Sequence, residues 1–229
     1  MYSRMTDEAM SKTARQAGLA GIIATVLGAA AILVAGSPPD AAGTIEQLRA
    51  YVHAQRNEIL VAAVIFQLMV PFLFVFAAGL ARVAAGANGE ASALAWGGLA
   101  GNVGLQAVAV SGLIPFVAAA WRGADDAIVR IAYDGDLLGV YALTAGFSLA
   151  SVVPVTMAGI MTKTLPRWIA LFAFVLAAAN VGEIIGLLFY DNGPMALGAG
   201  PGLVAVPAWI AWAGAVSVVL LLRAKRNPQ

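Results

Sequence analysis

Glu183 is the formally charged side chain set well inside an apolar run of this 229-residue chain, and Asn180 lies one helical turn before it. A carboxyl and an amide three residues apart share a helix face. Inside a membrane such a pair could titrate, take up a cation or hydrogen-bond to neighbouring spans. Asn102 and Gln106, four apart, form a second pair on one face, and Gln67 stands alone in another run. Thr144, Ser148 and Ser151 add hydroxyls in a further one. Glu183, Asn180, Gln67, Asn102 and Gln106 are therefore expected to line a shared polar interior. A charge at the bilayer centre costs roughly 3 kcal/mol, so Glu183 should face the bundle or a water-filled cavity. With no Lys or Arg expected at its depth, it is either protonated and bonded to amides such as Gln67 or Gln106, or reached by water.

Other chemistry finds few residues. The chain has no Cys, which removes disulfides, thiolate nucleophiles and Cys-ligated metals. Its single His, His53, cannot supply a bis-His haem or a His cluster for zinc. Lys12, Lys163 and Lys225 all fall outside the apolar runs, so a Schiff-base lysine within the bundle is excluded. Asp134-Gly-Asp136 suggests calcium, but an EF-hand needs more oxygen ligands in a fixed loop, and a solvated acidic loop is the expectation. No nucleophile–base pair and no cluster of acids stands out. No catalytic residue, cofactor or metal site is expected, and a net charge of +1 points to no nucleic-acid partner.

The residues that must position the polar set are overwhelmingly apolar. Hydrophobic types make up 61% of the chain and charged types 11%, against about 45–50% and 25% in soluble domains. Mean hydropathy is +0.87. Continuous apolar runs long enough to span a bilayer predict helices rather than a barrel. The fold class expected is all-α, a polytopic bundle of six transmembrane helices forming a single integral membrane domain over residues 1–229. The spans fall at about 17–36, 59–81, 93–121, 137–161, 168–190 and 203–222. Residues 17–36 follow a basic start but exceed the usual apolar length of a signal peptide, and are expected to remain as the first helix.

Between the first two spans, Thr44 and Gln47 have capping-box spacing. Ile45, Leu48 and Val52 then share a face, which predicts one short amphipathic helix on the outer side. Residues 122–136 read as a large loop. Pro115 gives a cause for a kink in the third span. Gly97/Gly101, Ala142/Gly146 and Gly182/Gly186 are small pairs at four-residue spacing, as tightly packed membrane helices use. Asn-Val-Gly occurs at 102–104 and again at 180–182, each after a Trp (Trp96, Trp168), which hints at a duplicated hairpin. Such short matches also arise by composition in a chain rich in Ala, Gly and Val.

Six spans put both ends on one side. Arg4, Lys12, Arg15, Arg82, Lys163, Arg167, Arg223, Lys225 and Arg226 lie on that side; Arg49, Arg56, Arg122 and Arg130 lie on the other. The positive-inside rule then places the N- and C-termini in the cytoplasm.

The outer segment TIEQLRAYVHAQRNE, the second span ending in Gly79 to Arg82, and the link Leu165-Pro166-Arg167-Trp168 carry a family resemblance. The chain resembles uncharacterised six-helix bacterial integral membrane proteins of actinobacterial type, a domain-of-unknown-function family. The resemblance implies a six-helix fold in the bacterial plasma (inner) membrane, and no catalytic residues. Two function classes stay open. One is a non-enzymatic accessory or scaffold subunit, in which the polar side chains join helices. The other is a small transporter or channel-like protein with a polar site around Glu183. The partners implied are the lipid bilayer and another membrane protein or a second copy.

Overall fold

The structure, a computed structural model, describes residues 2–36, 39, 44–86, 88–122, 126–188 and 200–226. Its elements are α1 (Tyr2–Ala35), α2 (Ile45–Ala54), α3 (Arg56–Ala84), α4 (Ser92–Arg122), α5 (Asp126–Leu137), a π-helical segment (Leu138–Leu143), α6 (Thr144–Met161), α7 (Ile169–Gly186) and α8 (Gly200–Arg226). Six stretches, in α1, α3, α4, α5–α6, α7 and α8, are long and apolar enough to cross a membrane. The described chain is helical, as expected of an all-α bundle, because backbone in hydrocarbon must bond within its own segment.

Successive spans are neighbours. α1 packs on α3, α3 on α4, α4 on α6, α6 on α7, α7 on α8, and α8 returns to α1. The ring closes through small side chains and a few large ones. Ala14, Ala17, Phe76, Leu80, Val152, Ile169, Trp212, Val216 and Leu220 form its main buried cluster. The α4–α6 seam is backbone against backbone. A Cβ built on Gly101 would stand 2.5 Å from the backbone of Ala150 and Ser151, and one on Gly139 would stand 2.7 Å from Gly112 Cα. Small residues permit this approach, and of the expected pairs Gly101 takes part while its partner does not. Gly97 and Gly146 meet nothing; Gly98, Gly101, Gly112 and Gly139 carry the contact.

A second layer sits over one end of the ring. The capping box forms as spaced: Gln47 N–H donates to Thr44 Oγ1 at 3.3 Å, and Thr44 N–H donates to Gln47 Oε1 at 2.9 Å. It starts α2, which buries Leu48 and Val52. Beneath lie Ile59, Phe116, Val129, Tyr133 and Leu137. Arg56 ties α3 to this layer. Its Nε donates to Ala120 O at 2.9 Å and its Nη2 to Trp121 O at 2.7 Å, satisfying carbonyls at the C-terminal end of α4.

Three boundaries differ from expectation. The segment read as a loop over 122–136 contains α5, an amphipathic helix. Its buried Val129, Ala132, Tyr133 and Leu137 repeat at helical spacing, and Arg130 pairs with Asp134 at 3.1 Å one turn on. The acids had suggested solvent, but the apolar spacing decides the structure. The polar start is helical from Tyr2. The fifth span is helical to Gly186, and residues 189–190 of its expected range lie outside the described residues. At the opposite end of the ring, Lys163 turns the chain with φ of 57°. Thr164 N–H and Leu165 N–H both donate to Gly159 O at 2.8 Å, closing α6.

Candidate functional site

α6 presents a column of buried hydroxyls, Thr144, Ser148, Ser151 and Thr156, between its neighbours. They recur every three to five residues, so one helix face carries them past α4 on one side and α7 and α8 on the other. Asn180 on α7 donates from Nδ2 to Ser148 Oγ at 3.2 Å and to Leu176 O at 2.7 Å. Trp212 on α8 donates from Nε1 to Thr156 Oγ1 at 3.1 Å. Asn102, 3% exposed, shares a small cavity with Ser151, Gly98, Phe76 and Trp212. Asn102 Oδ1 is buried and accepts no hydrogen bond there. The cavity holds about one water, and Asn102 with Ser151 would give that water polar partners.

Glu183 is 2% exposed and lies against the first turn of α8. A Cβ built on Gly202 would stand 2.5 Å from Glu183 Oε1 and 3.1 Å from Tyr141 Cδ1. Only glycine leaves room for the carboxyl at this point. The first N–H groups of a helix lack intrahelical acceptors, and the helix dipole there favours negative charge. Pro201, beside Gly202, has no N–H to satisfy. The start of α8 thus places the positive end of a helix dipole beside the carboxyl, although Glu183 Oε1 itself is buried without a hydrogen bond among the described residues.

Tyr141 lies in the electrostatic reach of Asp136, Glu183 and Tyr51. Four titratable side chains from α2, α5, the π-helical segment and α7 therefore gather at the α2–α5 end of the ring. Tyr51 donates to Ala35 O at 2.9 Å. Burial pushes its hydroxyl above the ordinary 10.0, and the nearby Asp136 adds to the shift. Tyr133 donates to Pro39 O. A π-helical turn shifts side-chain register by one residue relative to an α-helix, and Leu138–Leu143 is such a turn between Asp136 and the hydroxyl column.

Of the five residues expected to line one polar interior, Asn102, Gln106, Asn180 and Glu183 are buried. Gln67 is not. It is exposed on the outer side of α3, because the turn that buries Met69 and Leu73 on the ring interior points it away. Of the buried four, Asn102 shares its cavity with Ser151, Asn180 donates to Ser148 one turn away on the same face of α6, Glu183 lies against Gly202, and Gln106 is buried in α4. Asp136 corrects the solvated-loop expectation, since its Oδ1 is buried with no hydrogen bond. Sequence reading passed over Tyr51 and Tyr141 as site residues and took Asp136 for a solvated acid; the periodicity of α5 was the signal that could have placed Asp136 on a helix. Among the described residues no group of three or more His, Asp or Glu could hold a metal. Compared with known proteins, the chain matches no family model, no curated protein and no solved structure.

Proposed function

We propose that this integral membrane protein is a non-enzymatic accessory or scaffold subunit of a complex in the bacterial inner membrane, with both termini in the cytoplasm. One observation supports the reading most directly: buried polar side chains hydrogen-bond between adjacent helices. Asn180 joins α7 to α6, Trp212 joins α8 to α6, and Glu183 meets the start of α8. Such contacts fix register, at an average near 0.6 kcal/mol each in measured cycles. The orientation rests on the excess of Lys and Arg at the terminal side.

Native mass spectrometry of protein extracted gently from its own membrane tests this. The expected result is a reproducible heteromeric mass with fixed stoichiometry, in which Glu183→Gln leaves the stoichiometry unchanged. Overturning it requires a bare monomer or dimer carrying a small bound mass that Glu183→Gln removes. That result would favour transport around Glu183.

A further inference from the structure

α3 places a glutamine where lipid should be. Gln67 lies about 16 Å along the axis from Arg56 and about 22 Å from Arg82, near the middle of the span. It is exposed, and its side chain makes no hydrogen bond among the described residues. Ser111, also exposed within a span, instead satisfies its hydroxyl on Ala107 O, four residues back. A carboxamide has two donors and an acceptor with two lone pairs, and hydrocarbon offers it nothing.

A second polar group converges on the same spot. Pro71 has no N–H, so the carbonyl four residues earlier loses its intrahelical donor, and that carbonyl belongs to Gln67. Pro71 is itself exposed. Proline is tolerated in membrane helices where neighbouring helices re-satisfy the freed carbonyl. Among the described residues α3 has no neighbour on this face, since α1 and α4 flank it and Met69, Leu73 and Phe76 point inward.

We propose that the Gln67 face of α3 is the seam of a homodimer. Every copy enters the membrane with the same orientation, so two copies pair about an axis along the bilayer normal. Residue 67 then meets residue 67 at the same depth. An amide is self-complementary across such an axis, because each copy donates to and accepts from the other. Ala63 and Pro71 flank Gln67 at four-residue intervals and keep the seam narrow, while Val64 and Phe74 border it. This seam is independent of the accessory reading and would hold equally in a transporter.

The absence of Cys makes the test clean. Single cysteines at Val64 (59% exposed) and Phe74 (41%) report on the seam, and one at Phe174 (71%) on α7 reports on random collision. Oxidation in native membranes should give covalent dimers at Val64→Cys and Phe74→Cys well above those at Phe174→Cys. Adding Gln67→Leu, which suits lipid and leaves the ring untouched, should weaken dimerisation by roughly threefold to tenfold. Gln67→Asn should restore it. Equal cross-linking at all three positions, no response to Gln67→Leu, or cross-links at Val64 that run only to a different polypeptide would each overturn the proposal.

Discussion

A carboxyl inside a membrane bundle invites a functional reading, and its surroundings decide how much of one it can bear. Glu183 has Gly202, in the first turn of α8, beside it. Charge–dipole contacts of this kind contribute about 0.3–1 kcal/mol, rising to ~2 kcal/mol when partly buried. Glu183→Leu should therefore lower the thermal midpoint in detergent by several degrees, and Glu183→Gln, which keeps an acceptor oxygen, by about half as much. Equal loss in both variants would show that the acceptor contributes nothing. Sequence reading could mark Glu183, Asn180, Asn102 and Gln106 as inward because polar atoms avoid lipid. It could not see that Gln67 points out, since a helix face is assigned by what packs on it.

The elements were legible in proportion to the strength of their apolar signal. Six apolar helices and α2 form where hydropathy and the Thr44–Gln47 box announce them, though the first and fourth helical stretches begin earlier than expected. α5 was hidden by four acids at residues 125–136, although Val129, Ala132, Tyr133 and Leu137 mark its buried face. The helix seams were half legible: glycine-rich stretches announce close packing, but neighbouring glycines are told apart only by orientation. Gly101 shows the difference. Gly101→Ala pushes a methyl into the α6 backbone and should cost about 1–3 kcal/mol in a detergent unfolding series. Gly97→Ala and Gly146→Ala meet open space and should be neutral or stabilising by up to ~1 kcal/mol, since alanine is the better helix former. Similar losses at all three glycines would mean that the α4–α6 approach does not govern stability.

For the whole molecule, six spans arranged as a ring place both ends of the chain at the same end of the bundle. Fusions after Gln229 should give an active cytoplasmic reporter and a silent export-dependent one, and the reverse pattern would invert the orientation drawn from Arg and Lys. The order of the spans was readable from the chain; the closure of the ring was not, because it depends on contacts between its most distant parts. Ser11 donates to Ala224 O at 3.2 Å across 213 positions of sequence, and Arg223 reaches Lys163 O at 3.3 Å. Biosynthesis meets that distance as a delay. α8 supplies its first turn to Glu183 and Trp212 to Thr156, and it leaves the ribosome after the five spans that precede it. Until it does, the half-built ring holds its polar flank open toward lipid or the insertion machinery. Contacts of such long sequence separation form late, so quality control in the cell would see a chain cut short before α8 as an unfinished one, however complete its first five spans.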